Sequence, residues 1–403
     1  MIRVLFVDDE QRVLDGLKRM LRKQRHDWDM VFAIGGQEAL TVFEAEPFDV
    51  VVSDMMMPGM DGVQLLSTIR EKYPQTIRIA LSGHADAAGL IRAVGPTHQF
   101  LSKPCPPEVL KATVERAMSL RRMIASDSVM RLVSGMDRIP SVPSVYRKLL
   151  VELRKDGVDL RCLGDIVETD LGMSAFILKL VNSAFFGSPR RETSIDRAIS
   201  LIGLERLSSL VLVGSVFQEF DGSRIPGFSI QRLWHHSIRS ARFASAIGTV
   251  EGSSEQMMDD VFTAALLHDV GKLVLASNLP EAYAQVMVER ENARESGSEV
   301  EKRILGATHG QIGAYLLGVW GLPDSVVEAV AYHDEPRSCG DHELALCGIV
   351  HLADVLARDP MIEDPSVPAC GVSLEYLRTI GLLYRWADWR AACLATMDDG
   401  ALV

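Results

Sequence analysis

Three observations in the 403-residue sequence predict an α/β unit, a five-stranded parallel doubly wound sheet, followed by an all-α helical domain. Through residue 122, short apolar runs alternate with amphipathic stretches, the rhythm of a βα repeat whose sheet is covered on both faces. Beyond about residue 140 the strand signals stop, and apolar positions recur at helical spacing. Between the two, "MDRIPSVPSV" supplies prolines at a boundary. The chain therefore divides into 1–122, a helical linker 123–140, a helical domain 141–360 and a C-terminal helical extension 361–403.

The five strands are "IRVLFV", "MVFAI", "DVVVS", "IRIAL" and "QFLS". In such sheets ligands collect at the C-terminal strand ends, where this sequence is polar. Asp8 and Asp9 follow the first strand, Asp54 ends the third, Ser82 ends the fourth, and Lys103 follows the fifth, with Pro104 behind it. Three carboxylates on one edge repel one another unless a cation lies among them, and hard carboxylate oxygens suit Mg²⁺.

The segments "VDDE", "DVVVSDMMMPGMDG", "LSGHAD" and "FLSKP" resemble the receiver domain of two-component response regulators. That resemblance implies that Asp54 is the phospho-acceptor, supplied by a cognate histidine kinase. It implies Mg²⁺ held by Asp9, Asp54 and the backbone carbonyl of Met56, with Asp8 acting through water. Lys103 and Ser82 would contact the phosphoryl oxygens, and Phe100 stands at the family's aromatic switch position.

Leu110, Ala117 and Ile124 fall seven apart, with Val114 and Leu120 between them. The spacing suits either a helix that carries a shift or a homodimer contact into the next domain, or ordinary amphipathic core packing. Helical segments then follow one another through "SVYRKLLVELRKD", "CLGDIVETDLGMSAFILKLVNSAFF" and "SIDRAISLIGLERLSSLVLVGSVFQEF" to a second block that ends near residue 360, and the tail adds at least one more.

In "DDVFTAALLHDVGKLVLA" His268, Asp269 and Lys272 interrupt a stretch that reads as one helix apolar all round, hence buried. Unpaired there, each would cost several kcal/mol, so partners are required. Of the adjacent histidines in "RLWHHSIRSARFASAIG", His235 shares its face with Arg239 and Arg242, whereas His236 shares its own with Ser240, Phe243 and Ile247 and turns inward. His309, His333, Asp334 and Asp354 sit in further apolar helices. Together these side chains suit a one- or two-metal site, or a buried hydrogen-bond network without metal. His26, His84, His98, His342 and His351 read as core or capping histidines.

The order His, His-Asp, distal Asp resembles the HD superfamily of metal-dependent phosphohydrolases, whose HD-GYP branch hydrolyses cyclic di-GMP. By that likeness His236, His268, Asp269 and Asp354 would hold one divalent metal such as Fe²⁺ or Mn²⁺. Asp269 would bridge to a second held by His309 and His333, and Lys272 would steady a phosphate or the attacking hydroxide. The chain departs from HD-GYP domains in carrying His333-Asp334 where they pair histidines, and in lacking their Gly-Tyr-Pro signature. The blocks "IPSVPSVYRKLL", "IVETDLGMSAFILKLVNSAFFG", "SIDRAISLIGLERLSSLVL" and "WGLP" resemble the HDOD domain, an HD-related output domain. HDOD domains are generally signalling modules, so the resemblance implies output through a protein partner or a cyclic dinucleotide. The retained polar residues point instead to a phosphorylation-gated phosphodiesterase with cyclic di-GMP as first candidate substrate.

A net charge of -12 argues against DNA binding, which phosphate neutralisation dominates. The six cysteines form no C-x-x-C pair, which suits reduced thiols. No uninterrupted apolar run reaches the roughly 18 residues of a membrane helix, and "MIRVLFVDDE" turns acidic sooner than is expected of a signal peptide. The expected location is the cytoplasm.

Overall fold

The five apolar runs are strands β1 (Ile2–Asp8), β2 (Trp28–Ile34), β3 (Val50–Asp54), β4 (Ile77–Ser82) and β5 (Gln99–Ser102) of one parallel sheet, ordered β2-β1-β3-β4-β5. The structure is a computed structural model that describes residues 1–82, 96–134, 158–182, 191–204, 225–292, 296–339, 344–358 and 372–398, with 136, 148–149, 152–153 and 207. Outside these lie most of "NSAFFG", "LSGHAD" beyond Ser82, residues 135 and 137–140 of the 123–140 linker, His84, His342 and Cys370.

Helices α1 (Gln11–Met20) and α4 (Pro107–Arg121) cover one sheet face through Leu14, Leu17, Leu110, Val114 and Ala117. Helices α2 (Gly35–Ala45) and α3 (Gly62–Lys72) cover the other through Phe43, Leu65 and Ile69. Every residue of β3 is buried, as a strand covered on both faces requires. The order changes direction at β1, which opens a crevice at the C-terminal ends of β1 and β3. Register aligns Val7 with Ser53, Asp54 with Leu81 and Ser82 with Ser102, so the polar strand ends share one edge.

Helix α4 stops at Arg121, and a short turn leads into α5 (Asp127–Ser134). Leu110, Val114 and Ala117 belong to the sheet core, whereas Leu120 and Ile124 join a core shared with the helical half. All five are buried within the chain, where the seven-residue spacing serves core packing.

The helical half comprises α6 (Leu160–Glu168), α7 (Leu171–Val181), α8 (Ile195–Ile202), α9 (Ile230–Val250), α10 (Glu255–Leu267), α11 (Val270–Asn278), α12 (Pro280–Asn292), α13 (Gly297–Leu305), α14 (His309–Val319), α15 (Asp324–Tyr332), α16 (Leu346–Arg358), α17 (Leu374–Thr379) and α18 (Trp386–Asp398). Ser229, Ser254 and Thr308 cap α9, α10 and α14, each accepting an otherwise orphaned backbone N–H. The tail is integral to this half: α18 packs on α9 with Trp386, Trp389 and Cys393 buried, and Glu251 accepts from Trp389 Nε1 at 2.7 Å.

One expectation is corrected. The apolar stretch around His268 is two helices, because the chain leaves α10 after Leu267 and restarts at Val270, with a tight Lys272 N–H to Asp269 carbonyl bond closing the turn. Gly271 lies at this corner, where a Cβ would sit 1.9 Å from the carbonyl oxygen of His309. Close approach of α11 to α14 therefore requires glycine there.

The two halves touch directly. Gln99 Nε2 donates to the Gly318 carbonyl at 3.2 Å and Arg116 Nε pairs with Asp324 at 2.5 Å, while Ser134 Oγ of the linker helix α5 lies 2.8 Å from the Tyr315 hydroxyl. Beneath them Arg78 is fully buried, its guanidinium donating to the carbonyls of Pro96, Thr76 and Ser134. Cys105, Cys339 and Cys393 are free thiols, and among the described residues no helix is long and apolar enough to cross a membrane.

Candidate functional site

At the sheet edge Lys103 Nζ lies 2.7 Å from Asp8 Oδ2 and 2.6 Å from Asp54 Oδ1, and both carboxylates are buried. Burial would lower the Lys103 ammonium, but hydrogen bonds and attraction from Asp54 and Asp8 outweigh it and raise its pKa. The second Asp54 oxygen accepts from the Met56 backbone N–H at 3.2 Å, while the Met56 side chain is exposed. Asp9 is exposed beside this group, and Asp8 Oδ1 accepts from the Glu10 N–H at 3.0 Å. Ser82 ends the adjoining strand opposite Ser102, and Phe100 is buried on β5. At Gly62 a Cβ would lie 2.2 Å from the Asp54 carbonyl oxygen, so the loop after β3 folds back only on glycine.

The second constellation lies where α9, the α10–α11 corner, α14, α15 and α16 meet. His236 from α9 is inward, its Nε2 2.9 Å from Asp354 Oδ1 on α16, whereas His235 is exposed. His268 Nε2 lies 3.5 Å from both Asp269 Oδ2 and Asp354 Oδ1. Asp269 extends its other oxygen toward His309 Nε2 at 3.2 Å and His333 Nε2 at 3.8 Å. The structure thus brings together His236, His268, Asp269, His309, His333 and Asp354. Lys272 joins them as a partner of Asp269, with Nζ 2.7 Å from each carboxylate oxygen.

Sequence reasoning missed two members, Glu301 and Arg358, and named Asp334 without assigning it to either metal. Glu301 is buried on α13 and accepts from both the backbone N–H and the Nδ1–H of His309 at 2.7 Å. Asp334 places one oxygen 3.6 Å from His309 Nε2 and the other 3.8 Å from His333 Nε2, and it accepts from Ser298. Arg358 on α16 contacts Asp354 with Nε at 3.1 Å and Nη2 at 2.5 Å, and Asp334 with Nη2 at 3.3 Å. In the sequence, Glu301 in "SEVEKRIL" and Arg358 at a helix end resemble solvated charges. His351 stays outside the cluster: its Nδ1 donates to the His333 carbonyl and its Nε2 accepts from the Ser373 N–H.

The imidazole tautomers carry the argument for a cation. His268 Nδ1 donates to the Ala265 carbonyl at 2.6 Å, His333 Nδ1 to Val330 at 2.8 Å, and His309 Nδ1 to Glu301. A neutral ring so held turns an Nε2 lone pair inward, the arrangement by which protein carbonyls and carboxylates orient metal-ligating histidines. Inside, those lone pairs face carboxylate oxygens and one another, with His309 and His333 Nε2 3.2 Å apart. His268 Nε2 is buried without a hydrogen-bond partner, an arrangement that protons or a metal ion must relieve.

The buried groups of the cluster shift one another's proton affinities in opposite directions. Burial opposes charge on His309, but Glu301 and Asp269 prevail and raise it to about 9. Burial, with His268 and His309 alongside, pushes His333 down to about 4. Asp269 and Asp354 lie well below the ordinary carboxylate range despite burial, drawn down by His268, Lys272 and His309 for the first and by Arg358, His236 and His268 for the second. Three groups of nitrogen and oxygen donors lie within reach of one ion: His236, His268 and Asp354; His268, Asp269 and His333; and His309, His333 and Asp334. Mixed imidazole and carboxylate donors suit Mn²⁺, Fe²⁺ or Zn²⁺, so the residues fit the divalent metal that the HD likeness implies.

Comparison with known proteins agrees with both halves. A family model described as the response regulator receiver domain matches residues 4–115, and one described as the HDOD domain matches residues 139–336, leaving Asp354 and Arg358 beyond the match. An uncharacterized protein of Treponema pallidum is 25% identical over 265 residues, 62% of this chain and 50% of its own length. The hydrogenase transcriptional regulatory protein HoxA of Cupriavidus necator is 34% identical over 117 residues, 28% of this chain and 24% of its own. The chain thus spans half the length of the first relative and about a quarter of the second. A solved virulence factor from Campylobacter jejuni shares the fold, with a TM-score of 0.50 and 17% identity over 71% of this chain and 99% of that one. The chain is a response regulator in which a receiver domain is joined to an HDOD output domain.

Proposed function

We propose that a histidine kinase phosphorylates Asp54 and that the HDOD domain answers as a divalent-metal-binding output module, signalling through a protein or nucleotide partner. The observation that carries the metal part is His268: its Nδ1 is committed to the Ala265 carbonyl, and its buried Nε2 faces Asp269 and Asp354 with no hydrogen-bond partner. His236, His268, Asp269 and Asp354 would hold one ion, and Asp269, His309 and His333 a second, with Asp334 added to the second set.

In the receiver, an Asp54 oxygen forms the new bond to phosphorus while the donor's bond breaks and its electron pair leaves with the donor. Lys103 is already placed against Asp54 and Asp8 to neutralise the added charge. Mg²⁺ would be held by Asp9, Asp54 and the Met56 carbonyl, with Asp8 through water. Ser82 and Phe100 would respond to the phosphoryl group. The route to the output domain is short. Gln99 begins the strand that ends beside Lys103 and bonds Gly318, near the far end of α14, whose first residue is His309. A change along β5 therefore acts on a helix that carries a ligand residue.

A second reading, phosphodiester hydrolysis with cyclic di-GMP as first substrate, is favoured by Asp269, which faces His268 on one side and His309 and His333 on the other. Bound divalent ions would supply Lewis-acid polarisation of a phosphoryl oxygen. Two measurements test these readings: metal content after purification without added metal, and turnover of cyclic di-GMP and bis(p-nitrophenyl) phosphate under Mn²⁺ with and without beryllofluoride. Metal without turnover supports the binding module. Turnover abolished by Asp269→Ala supports the phosphodiesterase, and absence of metal contradicts both.

A further inference from the structure

Arg358 is the exposed member of an otherwise enclosed group. Its side chain keeps 40% of its surface, against 1% for its main partner Asp354. Its guanidinium covers both oxygens of Asp354 and also reaches Asp334, spanning one carboxylate from each proposed ion position. Nη1 is left out of all three contacts. Asp354 Oδ1 is at the same time the oxygen that faces His236 and His268. One carboxylate oxygen is thus claimed both by a built-in cation and by the position that the imidazoles prepare for a metal.

The charges make this competition consequential. Asp269, Asp334, Asp354 and Glu301 bring four negative charges, and Lys272 and Arg358 return two positive ones. With neutral imidazoles a deficit of two remains, so a divalent ion completes the balance with Arg358 in place. A second ion overshoots it and repels the guanidinium at 2.5 Å from Asp354. Part of that side chain is exposed, so once metal takes over the charge of Asp354 the head can turn outward while tethered to α16. A planar fork of N–H donors held above a cationic centre matches a phosphate group, which accepts paired hydrogen bonds from arginine.

We infer that Arg358 is an exchangeable counter-ion: it covers Asp354 and Asp334 until divalent metal loads the cluster, then turns to bind the phosphate of an incoming phosphate-bearing ligand. The inference rests on the metal-binding reading of the same cluster and assigns the ligand class.

The test is Mn²⁺ titration of the full chain by calorimetry, then binding of inorganic phosphate to the Mn²⁺-saturated protein, in wild type, Arg358→Gln and Arg358→Lys, with the thermal midpoint checking folding. Wild type is expected to bind phosphate only after metal loading. Arg358→Gln should bind Mn²⁺ about tenfold more tightly, the loss of one adjacent positive charge, and phosphate about tenfold more weakly. Arg358→Lys should keep the wild-type Mn²⁺ affinity and lose part of the phosphate affinity, because lysine retains the charge without the fork. Folded Arg358→Gln protein with unchanged or weaker Mn²⁺ binding overturns the inference, as does unchanged phosphate binding. If neither wild type nor Arg358→Gln binds Mn²⁺, the metal reading falls as well; if wild type binds Mn²⁺ and only the Arg358 effects fail, the inference alone falls.

Discussion

Gln99 and Gly318, 219 residues apart in sequence, meet across the domain junction, where the Gln99 side-chain amide donates to the Gly318 carbonyl in a buried contact. Gly318 also packs against Leu120 and Val327: a Cβ there would lie 2.3 Å from Leu120 Cδ1, so even alanine displaces the leucine tip. Gly318→Leu, whose side chain is too large for a shift of the Leu120 tip to accommodate, is therefore expected to loosen this docking, at a cost of about 1–3 kcal/mol from overpacking. Chemical denaturation measures that cost. An unchanged unfolding midpoint would show that the junction does not contribute to stability.

Lys103→Ala removes the cation shared by Asp54 and Asp8, leaving two buried carboxylates facing each other. We expect the beryllofluoride response, followed by tryptophan fluorescence or limited proteolysis, to disappear in Lys103→Ala and in Asp54→Ala. A response that survives Asp54→Ala assigns the acceptor elsewhere.

His98 links the receiver to helix α5 of the linker. The Arg78 backbone N–H donates to its Nδ1 at 3.0 Å, and Nε2 contacts the Ser134 carbonyl at 2.9 Å. The ring is then neutral with its proton on Nε2, and burial, with Arg78 and Lys179 nearby, holds its pKa well below the ordinary value. Unfolded His98 takes up a proton near pH 6.5 and folded His98 does not, so stability is lost as pH falls below that point, by up to about 1.4 kcal/mol per unit. His98→Asn should flatten the fall in unfolding free energy between pH 7 and 5 relative to wild type. Parallel profiles would remove His98 from that account.

Glu301→Gln leaves the His309 ring without the carboxylate that orients and charges it. A metal affinity reduced about 10–100-fold is expected from such a partner, read by calorimetry with Mn²⁺. Equal affinity would reduce Glu301 to a packing role.

Much of this was legible in the chain. Five apolar runs ending in Asp8, Asp54, Ser82 and a following Lys103 yield the strands and their edge, because period and polarity change together there. The histidines stood out because each interrupts an apolar helix. The corner at His268 and Asp269 did not, since an apolar run reads alike through a helix and across a buried break. Glu301 and Arg358 look like surface charges until tertiary packing turns them inward, and nothing local marks Gln99 as a partner of Gly318.

The central claim is that the HDOD cluster holds divalent metal. Elemental analysis of the full chain, purified without added metal and compared with Asp269→Ala, tests it most directly. The account predicts transition metal in the wild type and its loss in the variant. Wild-type protein free of transition metal that also fails to take up Mn²⁺ or Fe²⁺ on reconstitution would contradict it.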